Sequence, residues 1–288
     1  MSEVTLYHVP PSFYSQIARI ALSEKGIRYR GEYILPGPPR FESYAPWYMR
    51  LNPGGTVPTL VDGATVVADS FAIARYVDER FSGPRLTPAD PDARAAMERW
   101  LDRLQRYPIR ELSYGGEIAG IGGRINRMRV AVLRWRRRRH PEMAAIYDAK
   151  IADIEGFAAR AVDPAHTDAL RDELAQTLDE LDAVLSEHPW IAGDAYSLAD
   201  ALWTVGVARF RMLGLDPLVG RPALAQWYGR VHARPSFVEA DVWERFKPAI
   251  LARVVVRKLA PLLAVLVGVA IVVAVALWRA CGCASSFV

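Results

Sequence analysis

Short strand-like runs crowd the first third of the chain, and a helical spacing of three and four takes over after it. Val4 to His8 reads as a strand. Ser15 to Lys25 follows with Ile17, Ala18, Ile20 and Ala21 on a helical repeat, and Gly26 supplies the residue type on which helices commonly end. Arg28 to Leu35 is a second strand candidate, closed by Pro36-Gly37-Pro38-Pro39. Thr59 to Val61 and Thr65 to Ala68 flank Asp62-Gly63, a dipeptide that favours a tight hairpin. Ser70 then opens a helix to about Phe81. The pattern predicts β-α-β, a linker, and β-β-α.

Gly83 to Asp92 carries Pro84, Pro88 and Pro91 and reads as a linker. Only helical spacing follows it. Ala93 to Tyr107 is one helix, Asp168 to Leu185 is another with Leu170, Leu174, Leu178, Leu181 and Leu185 in register, and Ser197 to Leu213 is a third. Ser197 and Asp200 stand at the spacing that lets the two side chains cap a first turn reciprocally. The expected domains are an α/β domain over 1–82 and an all-α domain over 93–246 with an insert at 110–167.

The hydropathy changes again near the C-terminus. Leu259 to Trp278 carries no charge, and as a helix it would reach about 30 Å, a bilayer's hydrocarbon thickness. Arg253, Arg257 and Lys258 precede it and Arg279 follows, a bias that keeps the N-terminal bulk in the cytoplasm. The segment 259–278 is therefore expected to be a single-pass transmembrane tail anchor, with soluble domains on the cytoplasmic side. Met1 to Gln16 has no apolar core of the signal-peptide kind.

Composition narrows the chemistry. The two cysteines are Cys281 and Cys283, so the domains before them have no thiol nucleophile, Cys-x-x-Cys pair or thiolate zinc site. The five histidines show no metal-ligand spacing, and no metal is expected. Arg124 to Arg139 holds eight arginines and no acid, with Ile125, Met128, Val132 and Trp135 spaced for one helical face. A basic amphipathic helix of that kind is expected to lie on an anionic lipid surface rather than on nucleic acid.

The residues Tyr7-His8, Ser12-Phe13-Tyr14-Ser15-Gln16-Ile17-Ala18-Arg19, Thr56-Val57-Pro58-Thr59-Leu60, Asp69-Ser70, Trp190 to Asp200 and Arg234-Pro235-Ser236-Phe237 occur in the order that marks the glutathione transferase superfamily. The chain resembles that family over about Val4 to Phe246. The resemblance implies a thioredoxin-like domain followed by the family's all-α domain, glutathione as co-substrate, and a homodimer. Ser12-Phe13, Ser15-Gln16, Trp47 to Asn52, the insert and the C-terminal apolar run are similar to a tail-anchored branch, the ganglioside-induced differentiation-associated proteins, from whose pattern Ser70 departs.

On that resemblance Val57-Pro58 is the expected cis peptide, with Val57 offering its backbone and Pro58 its turn to the cysteinyl part of glutathione. Ser70 and the helix start would hold the γ-glutamyl carboxylate, where free N–H groups favour an anion, and Asp69 would meet the ammonium. One hydroxyl must keep the sulfur as thiolate. Ser12 is preferred, Ser15 competes with it, and Tyr7 stands third. The implied function is a membrane-tethered transferase that conjugates glutathione to lipophilic electrophiles or reduces peroxides; the alternative is a non-catalytic membrane-surface binding protein.

Overall fold

Strand β1 (Val4–His8) is the hub of a four-stranded sheet ordered β2-β1-β3-β4. The computed structural model describes residues 3–38, 40–114, 119–161 and 163–260. β2 (Arg30–Tyr33) runs parallel to β1 after the helix α1 (Phe13–Glu24), while β3 (Thr59–Asp62) and β4 (Thr65–Val67) are antiparallel neighbours on the other side. Alternation along β1 sends its side chains to opposite faces. Val4 and Leu6 join Ala18 and Leu22 of α1 and Ile73 and Val77 of α3 (Ser70–Arg80). Tyr7 turns the other way, toward Tyr48 and Leu51 of the short helix α2 (Pro46–Leu51).

The sequence places these elements nearly where they form, except α2, whose Pro46 start and six-residue length give no helical repeat to read. The second half is helical: α4 (Pro91–Arg106), α5 (Ile109–Tyr114), α6 (Ala119–Arg139), α7 (Ala144–Ala161), α8 (Pro164–Glu187), α9 (Leu198–Met212), α10 (Pro222–His232) and α11 (Pro235–Glu239). α9 is buried from Leu198 to Phe210. A helix apolar all round belongs in a core, and α9 packs between α1 and α4, with Phe13, Ile17, Trp100, Leu104 and Trp203 in one cluster. Asp200 at its first turn accepts from Ser197 N and Oγ, both at 2.8 Å, from Ile191 N at 3.0 Å and from Trp227 Nε1 at 2.8 Å.

Within the insert, α6 and α7 form a helical hairpin over a core of their own. Val130, Leu133, Tyr147, Ile151 and Ile154 pack with Phe41, Tyr44 and Met49 of the thioredoxin-like half. Of the expected apolar stripe Met128 and Trp135 are exposed, while Val130 and Leu133, outside that stripe, are buried. Several of its arginines are engaged: Arg134 with Glu155 at 3.1 Å, Arg137 with Asp148 at 2.6 Å, and Arg136 with the Phe41 carbonyl at 3.0 Å.

Residues Met1–Phe246 form one compact unit, and Lys247–Val288 a second. In the second, residues 248–260 are helical and include Arg253, Arg257 and Lys258. No helix among the described residues is long and apolar enough to cross a membrane. The transmembrane helix in the expected fold class is corrected accordingly, and with it the expected tail-anchored membrane localisation. The helical stretch that is described is broken by charge, and all of the expected span but Leu259 and Ala260 lies outside the described residues.

Candidate functional site

Three chain segments meet at one edge of the sheet because of its register. Tyr7 pairs with Thr59, so the end of β1 lies beside the start of β3, and Leu60 pairs with Val67, so the end of β4 lies there too. The residues that follow β1 (Val9 to Ser12), precede β3 (Val57-Pro58) and follow β4 (Asp69-Ser70) therefore share that edge. A surface depression of about 690 Å³ lined by Glu3, Val4 and Gly26 to Arg30 lies at the other end of β1 and includes none of them.

The first segment turns through Pro10 and Pro11 into α1, and its carbonyls are held from outside. Arg19, on the second turn of α1, is buried and donates to the Pro10 carbonyl at 3.2 Å, to the Ala240 carbonyl at 2.6 Å and to the Asp241 carbonyl at 2.9 Å. It also donates to His8 Nδ1 at 3.3 Å. Burial, reinforced by the Arg19 charge, pushes the His8 imidazole down to about 3, so the ring is a neutral acceptor. Arg209 reaches from α9 to the Pro11 carbonyl. Gln16 donates to the same carbonyl at 3.5 Å and accepts from Trp243 N at 2.8 Å.

Ser12 ends this loop as the N-cap of α1. Its Oγ accepts from Ser15 N at 3.3 Å, the side chain is half-buried, and no described acceptor takes its proton. Ser15 is fully buried, and its Oγ accepts from Val9 N at 3.3 Å. Tyr7 lies among aromatic rings, 5.8 Å from Trp47 and 5.9 Å from Tyr48 between centroids. The structure thus separates three hydroxyls that the sequence leaves in competition: one at a helix mouth, one inside, one in an aromatic group.

The Val57-Pro58 peptide is cis. No described residue bonds the backbone N–H or C=O of Val57. Its loop is pinned from beneath, because Tyr48 Oη donates to the Thr56 carbonyl at 2.6 Å and Asn52 Nδ2 donates to Thr59 Oγ1 at 3.0 Å. At the third segment Asp69, not Ser70, is the N-cap of α3, its Oδ1 accepting from Phe71 N at 3.0 Å and Ala72 N at 2.9 Å. Ser70 is buried, and its Oγ has no hydrogen-bond partner among the described residues. A buried hydroxyl without a partner is uncommon, and here it sits at a helix start where an anion is favoured.

Tyr14, within the Ser12-Phe13-Tyr14-Ser15 motif, is a partly buried neighbour of Ser12 to which the sequence assigns no role. Burial lifts its hydroxyl above the usual tyrosine range, and Arg110, Asp69, Arg209 and Glu111 are the charges around it. These charges come from the start of α3, from α5 and from α9.

Residues 11–80 match the family model of the glutathione S-transferase N-terminal domain and residues 137–235 that of the C-terminal domain. A tetrachloro-p-hydroquinone reductive dehalogenase of Sphingobium chlorophenolicum is 34% identical over 251 residues, covering 87% of this chain and all of that protein. The chain belongs to the glutathione S-transferase superfamily. Superfamily members use glutathione, and the fold is that of a theta class transferase of Xanthomonas axonopodis pv. citri solved with glutathione bound (TM-score 0.58, 22% identity, 83% and 97% coverage). The human ganglioside-induced differentiation-associated protein 1-like 1 is 24% identical over 267 residues, 81% of this chain and 72% of that protein. Within this transferase fold the unmatched stretch between the two domain models takes in α4, α5 and most of α6.

Proposed function

We propose that this chain is a glutathione-dependent transferase in which the Ser12 hydroxyl donates to the sulfur of glutathione and holds it as thiolate. The observation that carries the reading is the uncommitted proton of Ser12 at the N-terminus of α1. A helix N-terminus and a hydroxyl donor both favour the charged form of a thiol whose ordinary value is about 8.5. The free edge of Val57 pairs with the cysteinyl backbone, and Ser70 with the N-terminus of α3 takes the γ-glutamyl carboxylate. Asp69 keeps one carboxylate oxygen outside its cap and meets the γ-glutamyl ammonium.

The described residues include no cysteine, and glutathione supplies the thiol for the reaction. Its thiolate attacks an electrophilic carbon of a small organic molecule, a C–S bond forms, and the leaving group departs with the bonding pair. The name of the 34% identical relative makes a halogenated ring the first substrate class to try, with halide as the leaving group.

Calorimetric titration of glutathione into the full chain, with the absorbance of bound thiolate followed against pH, tests the reading. Ser12→Ala is expected to raise the apparent thiol pKa and to lower the conjugation rate by about 10²-fold, the usual effect of losing one donor to a developing anion. Absence of binding at millimolar glutathione, or an unchanged thiol titration in Ser12→Ala, sinks it in favour of a binding protein that reuses the fold.

A further inference from the structure

Where the helical hairpin of the insert meets the thioredoxin-like half, cations gather in excess. Lys150 on α7 is buried and donates to Asp153 at 2.8 Å. Arg110 on α5 contacts both oxygens of the same carboxylate, at 3.1 and 3.3 Å, and lies 3.9 Å over the Phe157 ring. Among the described residues Arg129 on α6 donates only to the neutral Asn126, at 3.1 Å, and its Nε is buried without a partner. Arg136 completes the group, bound to the Phe41 carbonyl. Among the described residues Asp153 is the one carboxylate paired within this group, and it contacts only Lys150 and Arg110.

The charges surround Tyr44. Burial lifts its hydroxyl above the usual range, and Arg129, Arg110, Asp153 and Arg136 act on it, while Lys150 is lowered by burial and also acted on by Arg110 and Arg129. The Tyr44 hydroxyl makes no hydrogen bond to a described residue. A desolvated guanidinium with an unused N–H is costly to leave so, and a bound oxyanion satisfies it by short charge-assisted bonds. The cluster opens outward at Arg110 and Asp153, whose side chains are 32% and 42% exposed. The Arg110 charge also acts on the hydroxyl of Tyr14, two residues beyond Ser12.

We propose that Arg110, Arg129, Lys150 and the Tyr44 hydroxyl form a binding site for the oxyanion of a small organic acid, and that this acid is the acceptor substrate. The substrate assignment rests on the transferase reading; the anion site itself does not. A carboxylate seated there turns the rest of the molecule past Arg110 toward Tyr14 and the sulfur held by Ser12. The insert, on this view, selects acidic electrophiles over neutral ones of the same shape.

Ethacrynic acid and its methyl ester separate the two statements, since they share one electrophile and differ in one charge. The thiolate adds to the β-carbon of the enone, a C–S bond forms, the π pair moves to the carbonyl oxygen as enolate, and the proton released by glutathione ends on the α-carbon. In the wild-type chain KM for the acid is expected to be about tenfold below that for the ester, the effect of one or two charged hydrogen bonds. Arg129→Gln and Lys150→Met are each expected to collapse that ratio toward one, and inorganic phosphate is expected to compete with the acid and not with the ester. Equal KM values in the wild type, or a ratio that persists in both variants, overturns the proposal. Should neither compound react, the acceptor assignment fails while the transferase reading stands or falls on glutathione binding, and phosphate-induced thermal stabilisation, lost in Arg129→Gln, decides the anion site alone. Glu117 lies outside the described residues, so Glu117→Gln is the control: phosphate binding that appears only in that variant assigns the counter-charge to the chain and ends the proposal.

Discussion

Ser70 and Asp69 are adjacent, yet their side chains do opposite work. Asp69 holds two backbone N–H groups of α3, whereas the Ser70 hydroxyl bonds to none of the described residues. Asp69→Ala is therefore expected to cost about 1 kcal/mol of stability, the usual value of an N-cap. Ser70→Ala is expected to leave stability nearly unchanged and to weaken glutathione binding by about tenfold through one lost hydrogen bond to a charged group. Chemical denaturation and calorimetry on the same samples read the two effects, and an unchanged glutathione affinity in Ser70→Ala removes Ser70 from the binding set. The pair was legible as a helix start, but which member capped it was not, since both residue types serve. The same holds for Ser12 and Ser15, which differ by three positions in one turn. Only the placement of β1, whose following residue Val9 bonds the buried Ser15, tells the inward hydroxyl from the outward one.

At the scale of elements, α9 rests on one carboxylate. Asp200 is fully buried and accepts four hydrogen bonds, two from Ser197 and one each from Ile191 and Trp227. Asp200→Ala leaves those donors unpaired inside the core, and a loss of about 3 kcal/mol or more is expected from broken buried networks. Urea unfolding midpoints measure it, and a loss below about 1 kcal/mol, the value of an ordinary cap, contradicts the central role. The Ser197–Asp200 spacing could be read from the chain, because a cap is local. The bonds from Ile191 and Trp227 could not, because they depend on how the turn before α9 and α10 fold against it. The arginine helix shows the same division. Its sequence offers two apolar stripes, one through Met128 and Trp135 and one through Val130 and Leu133. The second is buried because Phe41, Tyr44 and Met49, distant in sequence, lie under it.

The whole molecule is tied across its two halves by Glu24 at the end of α1. Its carboxylate accepts from Arg234 at 2.6 and 2.9 Å, from Tyr196 at 2.7 Å and from Ser236. Burial alone would raise this carboxyl, but those hydrogen bonds, with the Arg234 charge, hold it below the usual range. A carboxyl lowered by folding stabilises the protein above its unfolded value, about 4.3, and that stability is lost as pH falls through the folded value. Glu24→Gln is therefore expected to melt lower than wild type at pH 7, with the gap closing as pH drops below about 4. Melting curves from pH 7 to pH 3 check this, and a gap independent of pH excludes the carboxylate as its source. The order of strands and helices in the first half, α2 apart, was legible in periodicity and breakers, as were α4, α8 and α9 in the second. The ties between the halves were not, because Glu24 and Arg234 are 210 positions apart and neither belongs to a local pattern.

The loop that carries Ser12 extends this to descent. Its two proline carbonyls are shaped by Arg209 and, through Arg19 and Gln16, by the turn from Ala240 to Trp243. A recombination event that delivered the first eighty residues of this chain to another helical half would transmit the serine without its posture. The heritable unit of the site is thus a matched pair of halves, and drift in the last turn before Phe246 reaches the sulfur chemistry as surely as drift beside Ser12.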